Sequence, residues 1–305
     1  MSISMKGLIF TARSRWTLVI AITMLLLPAW LSAMTCSLSD PGSRAQQEMA
    51  SILQRQDQVV SLHLDSFTSM RAEQCSLLIS LGSAAASRVA AWPGPVLHTM
   101  IAHDQFQSLY QDGTRYPRSA VFIDQPLERY VALIHSAMPE RTEVLLLSSE
   151  NTQSLIAPLT DLLRSHRKAL RAVRYTQSDS VDKVLAANTG PNSVLLVLPD
   201  ISVLNSDSAK TIITSSYQRG IPLVSYSEHL VRAGGLMAVY ASTTDQLVDV
   251  RSAIQTWQET ASLPAAAYTR NYSVAINYQL ARALQLRLPA EAMVLRAMAV
   301  VINDD

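Results

Sequence analysis

Residues 193–200 read SVLLVLPD and residues 219–228 read RGIPLVSYSE, and the reading of these two stretches decides the fold. Each holds a short run of Val, Leu and Ile that ends in Pro, Ser or an acidic residue. Uninterrupted apolar runs of that length are expected of strands covered on both faces, as in parallel sheets flanked by helices. Between them, residues 209–219 carry a helical apolar period that closes at Gly220, giving strand, helix, strand.

Working outward, the same alternation recurs. Strands are expected at 34–39, 59–64, 76–81, 95–100, 120–124, 143–147 and 172–175, with helices at 43–56, 84–91, 127–138, 152–168 and 180–187. Toward the end follow a strand at 236–240 and helices at 244–260 and 281–288. Repeated βα units of this kind build α/β domains with parallel sheets. The expected fold is two doubly wound, Rossmann-like parallel-sheet domains joined by a hinge, with a cleft at the carboxyl ends of the strands.

The chain has 305 residues, 49% of them hydrophobic and 16% charged, with a formal charge of +1. That composition excludes a disordered chain and a polybasic nucleic-acid binder. The charge is unevenly placed: no Asp or Glu precedes Asp40, whereas Lys6, Arg13 and Arg15 come before the apolar run WTLVIAITMLLLPAWL at 16–31. This is the n-region and h-region of an export signal, followed by the small residues Ser32 and Ala33. Removal of residues 1–33 takes those three basic residues and leaves 34–305 at −2. The expected location is the periplasm, with an uncleaved N-terminal anchor as the alternative, since the run falls just short of the ~17–25 residues that span a bilayer. A lipoprotein is disfavoured because Thr35 occupies the position before Cys36 where a Gly or Ala is needed.

Chemistry-bearing motifs are scarce. The sequence has no G-x-S-x-G elbow, H-E-x-x-H, Walker loop or G-x-G-x-x-G, so no catalytic residues are assigned. Two S-x-x-K matches, at 165–168 and 180–183, lack the companion motifs of β-lactamase-like enzymes. Six histidines, at 63, 98, 103, 135, 166 and 229, lack metal-site spacing, and no metal or cofactor is expected. His103-Asp104 directly follows a predicted strand and reads as a solvated loop pair. Ser83, Asp104, Ser149, Asp200, Ser227 and Glu228 stand at predicted strand ends, where polar groups can orient a small ligand. Only Cys36 and Cys75 occur; export permits a disulfide, and two buried thiols are the alternative.

From about residue 194 onward the sequence resembles the ABC-transporter substrate-binding proteins associated with tryptophan or other aromatic amino acids. The resemblance rests on Leu196-Val197-Leu198-Pro199-Asp200, on Arg219 to Glu228, on Val231-Arg232-Ala233-Gly234-Gly235, and on the tail from Tyr272 to Ala297. It implies the type I periplasmic-binding-protein architecture with three crossovers. One domain would hold 34–119 plus 239–305 and the other 120–238. It also implies that the first and third strands are neighbours, which places Cys36 and Cys75 for a disulfide. By the same resemblance the protein captures a small polar, amino-acid-like ligand in the cleft and delivers it to an inner-membrane ABC permease. Asp200 or Glu228 would meet an ammonium. The alternative is a periplasmic partner of a membrane sensor or receptor, without transport.

The chain departs from the family pattern at the cleft. Ala102-His103-Asp104-Gln105 stands where the family has Thr-Asp-Pro, residues 118–124 lack the Gly and the following Ser of its Asn-x-x-Gly-x-Ser crossing, and Ser148-Ser149 replaces Asn-Pro. With only nine glycines in the chain, several loops bear side chains where a ligand would otherwise meet bare backbone.

Overall fold

The structure is a computed structural model and describes residues 34–68, 73–205 and 207–304. The expected export signal at 1–33 lies outside the described residues. No helix among the described residues is long and apolar enough to cross a membrane.

The chain begins with β1 (Met34–Ser39), α1 (Arg44–Asp57), β2 (Val60–His63), β3 (Cys75–Leu81), α2 (Gly82–Val89), β4 (Val96–Ile101), α3 (His103–Leu109) and β5 (Arg118–Phe122). It continues through α4 (Leu127–Ala137), β6 (Glu143–Ser148), α5 (Ile156–Ser165), β7 (Ala169–Arg174), α6 (Val181–Asn188), β8 (Ser193–Leu196), α7 (Ser208–Gln218), β9 (Leu223–Ser225), α8 (Glu228–Arg232) and β10 (Met237–Tyr240). The tail holds α9 (Thr243–Thr260), β11 (Ala267–Tyr268), β12 (Ser273–Ile276), α10 (Tyr278–Ala283) and α11 (Glu291–Asp304).

These strands form two six-stranded sheets. The first has the order β11-β5-β4-β3-β1-β2 and is wholly parallel; the second has the order β12-β10-β9-β8-β6-β7 and is parallel except for the antiparallel pair β10–β12. The apolar runs are explained by burial on both faces. In β3, Leu77, Ile79 and Leu81 pack with Met49 and Leu53 of α1 and Val250 of α9, while Leu78 turns to Val89 of α2. In the second sheet, Val144 and Leu146 of β6 pack with α4 and α5, whereas Leu145 and Leu147 pack with α6 and α7.

The chain passes between the sheets three times, at residues 123–126, 241–242 and 269–272. The expected domain limits differ from the strand pairings in the tail. Residues 239–305 were expected to return as a block to the first domain, but only α9 and β11 do so. β12 pairs with β10, and Val294 and Met298 of α11 join the core around Leu133 and Leu146 of the second sheet. The first limit also moves, because Ala120 and Phe122 of β5 bury with Ile101 in the first lobe.

Cys36 and Cys75 form a disulfide, with Cα atoms 5.8 Å apart, at the start of the adjacent strands β1 and β3. Where β3 turns into α2, Gly82 has φ of +84°, and a Cβ there would stand 2.2 Å from the Gln46 side-chain nitrogen. Gln46 is itself held, its Oε1 accepting the Asp40 N–H. Gly82→Ala is therefore expected to destabilise by about 1–3 kcal/mol, measured by urea unfolding.

Candidate functional site

A cavity of about 280 Å³ lies between the lobes, at the carboxyl ends of β4, β5, β6, β8 and β11. The first lobe supplies His103, Asp104 and Gln107 from α3 and Tyr268 from β11. The first crossover supplies Asp124 and Gln125, and α4 adds Leu127 and Tyr130. Across the cleft stand Asn151, Thr152, Ser154 and Leu155 after β6, with Leu198 and Pro199 after β8.

A bulge aims the first wall. Register shifts between Thr99 and Ile101 of β4, and Met100 between them adopts φ of +56°. Bulges of this kind redirect the chain beside functional sites, and here α3 begins two residues later. His103 is placed from two directions: its backbone N–H donates to Asp124 Oδ1 at 3.0 Å, and its ring stacks on Tyr268 and meets the edge of Phe122.

Asp124 is the unusual group. Burial raises its carboxyl to about 7, and the charge of Asp104 adds to the rise, against backbone hydrogen bonds from His103 and Asp124 itself. Burial and the charges of Asp124, Glu128 and Asp104 hold the Tyr268 hydroxyl up at about 12. Tyr130 is 1% exposed; burial first, then the charge of Asp124, keeps its hydroxyl protonated far above neutrality. Apart from the Gln125 amide, which favours its oxygen, that hydroxyl has no hydrogen-bond partner among the described residues.

The opposite wall is held from behind. Asp200 is buried, and its Oδ2 accepts Ser149 Oγ at 2.6 Å and Thr152 Oγ1 at 3.2 Å. Its Oδ1 accepts the Ser202 N–H at 3.0 Å and Asn151 Nδ2 at 3.4 Å. The loops after β6 and β8 are thereby one unit.

The sequence-based candidates divide accordingly. Asp104 lines the cavity. Ser149 and Asp200 do not line it; they brace Asn151 and Thr152, which do. Ser83 donates to Gln105 Oε1 and faces a second, more open depression shared with Asp104, Asn151 and Ile201. Ser227 and Glu228 stand apart from the cavity: Ser227 caps α8 by accepting the His229 N–H, Glu228 pairs with Arg232 at 2.6 Å, and neither is among the residues lining it. The His103-Asp104 pair, read from sequence as a solvated loop, opens α3 at the cavity wall. Asp124, Tyr130 and Tyr268 were missed; an acidic residue ending an apolar run was the one signal available, for Asp124.

The crossovers are tied to one another. Arg129 Nη1 donates to Gln125 Oε1 at 2.7 Å, its Nη2 to the Thr269 carbonyl at 2.7 Å, and the guanidinium lies 4.3 Å from the centre of the Tyr272 ring. Asp245 Oδ2 accepts the Ser242 N–H and the Ser273 hydroxyl. Arg129→Ala is expected to destabilise by about 2 kcal/mol through loss of these charged hydrogen bonds, read as a lower urea midpoint.

No metal-holding group of three or more His, Cys, Asp or Glu occurs among the described residues. No family model matches the sequence, and no curated protein matches it. Solved structures do. The ABC domain in complex with L-Trp from Streptococcus pneumonia matches at a TM-score of 0.60 and 16% identity, over 87% of this chain and 98% of that one. A ligand-free, open substrate-binding protein with adhesive properties from Clostridium difficile matches at 0.64 and 13%, over 84% and 96%. A periplasmic solute-binding protein from Actinobacillus succinogenes 130z with bound D-allose matches at 0.52 and 10%, over 82% and 99%. At these identities the likeness establishes the fold, that of the type I periplasmic binding proteins.

Proposed function

We propose that this protein is an exported solute-binding protein that takes a small molecule into the cleft, closes on it, and delivers it to an inner-membrane ABC permease. The observation that carries the reading is the cavity itself. It is walled by both lobes and floored by the first crossover, so a ligand touching both walls favours the closed arrangement over the open one. Asp104 and Asp124 contact the ligand from one side, Asn151 and Thr152 from the other, and Ser149 and Asp200 position the latter pair. The solved neighbours that hold L-Trp and D-allose support the reading.

The test is thermal and urea unfolding of the purified protein with amino acids, sugars, nucleosides, vitamins and organic amines. A true ligand at 100 times its dissociation constant adds about 2.7 kcal/mol. Leu198→Trp, which fills the cavity, is expected to abolish the shift and keep the fold. A shift that survives Leu198→Trp, or no shift with any compound, contradicts the proposal.

A further inference from the structure

The cavity carries charged side chains of one sign. Asp104 and Asp124 line it, and no lysine or arginine does so among the described residues. Arg129, which follows Gln125 by one helical turn, is turned away to Gln125 Oε1 and the carbonyls of Thr269 and Arg270. Asp124 Oδ1 takes the His103 amide, and the carboxylate accepts no hydrogen bond from another side chain among the described residues.

A second, independent observation points to a ligand. Tyr130 lines the cavity, is 1% exposed, and its hydroxyl has no acceptor among the described residues. A buried donor left without an acceptor costs about 1–3 kcal/mol, and such groups in native structures call for an occupant. The remaining walls are flat, apolar or uncharged: the His103 and Tyr268 rings lie at 27° to each other, with Leu127, Leu155, Leu198 and Pro199 on the apolar side and the amides and hydroxyls of Gln107, Gln125, Asn151, Thr152 and Ser154 on the polar side.

Resting on the solute-binding reading above, we infer that the ligand is a protonated organic amine with a flat apolar body and a neutral hydrogen-bond acceptor, without a carboxylate or phosphate. The ammonium sits against Asp124, with Asp104 beside it. Tyr130 donates to the neutral acceptor, and the body lies among the rings and leucines. A carboxylate in the same cavity meets Asp104 and, above neutrality, the ionised Asp124 as well, with no lysine or arginine lining the cavity among the described residues, an arrangement that burial penalises.

The pH dependence follows. The groups facing Asp124 are His103 and Asp104 of α3, Tyr130 of α4, and Tyr268, with Glu128 acting on the Tyr268 hydroxyl beside it. With its carboxyl near 7, Asp124 is neutral at acid pH and ionises above neutrality, so amine affinity rises between pH 6 and 8 and binding near pH 7 releases a proton. The stability sign is opposite. An unfolded Asp ionises near 3.8, so between that value and about 7 the folded state holds the extra proton and stability falls as pH rises. Asp124→Asn removes that fall and is expected to be more stable than the parent at pH 8.

The test is calorimetric titration with 2-amino-1-phenylethanol, phenethylamine, L-phenylalanine, phenylacetate and D-ribose, at pH 6 and 8. The amino alcohol is expected to bind at least about tenfold more tightly than L-phenylalanine or phenylacetate, and more tightly at pH 8. Asp124→Asn should weaken both amines at least about tenfold while the variant stays folded. Tyr130→Phe should weaken the amino alcohol and spare phenethylamine. The inference is overturned if phenylacetate or L-phenylalanine binds as well as the amines, if Asp124→Asn leaves amine affinity within twofold, or if neither amine binds at millimolar concentration. Should D-ribose or L-phenylalanine bind in place of the amines, the solute-binding reading stands and this inference falls. If nothing in the broader compound screen binds either, both fall.

Discussion

Replacing both Cys36 and Cys75 with alanine is expected to lower the unfolding free energy by about 3–4 kcal/mol. The bridge closes a loop with a sequence separation of 39, and cross-linking a loop of that length removes about 4 kcal/mol of chain entropy from the unfolded state in the loop-closure model. The enclosed segment holds α1 and β2, which flank β1 at one edge of the first sheet. Cys36 is 1% exposed and packs among Leu38, Leu78 and Val96, so alanine also leaves a small cavity. Urea unfolding of the parent with and without reductant separates the two contributions. An intact mass that gains two hydrogens on reduction reports the bridge, and an unchanged urea midpoint in the reduced protein contradicts the expectation.

The second large effect belongs to Asp200. Asp200→Ala is expected to cost about 3 kcal/mol, because it strips the shared acceptor from Ser149 and Thr152, both buried with it, and orphaned buried polar groups carry the full desolvation cost. The change also releases the loops after β6 and β8, which carry Asn151 and Leu198 to the cavity. Ligand affinity is expected to fall at least about tenfold although Asp200 does not line the cavity. Asp200→Asn keeps one acceptor and should fall between the two proteins. Urea unfolding and calorimetric titration of the three proteins check this; equal stability across them contradicts it.

Much of the fold was legible because parallel strands buried on both faces appear in sequence as apolar runs. Met34–Ser39 and the run from Glu143 needed no further information, and the doubly wound order followed from the alternation. The tail was harder. Ser273–Ile276 has only Val274 and Ile276 to bury, a pattern that suits the edge of either sheet, and its pairing to β10 is set by the packing of α11 on α4. The short α3, α8 and β11 were also missed, since seven, five and two residues are too few for a period to show.

The site was less legible than the fold. Asp104 was visible as an acidic residue just past a strand. Asp124 sits in a crossover whose course depends on two sheets. Tyr130 reads as one more apolar position on α4, and only the packed structure shows it lining the cavity with a buried hydroxyl that lacks an acceptor among the described residues. Conversely, Ser227 and Glu228 follow a strand as a ligand loop would, but a five-residue helix uses both for its own cap and ion pair.

The most direct test of the account is small-angle X-ray scattering of the purified protein with and without the compound that stabilises it most. Capture between two hinged lobes predicts a smaller radius of gyration and a narrower distance distribution at saturation, both absent in Leu198→Trp. Superimposable curves at saturating ligand would contradict closure on a solute in this cleft.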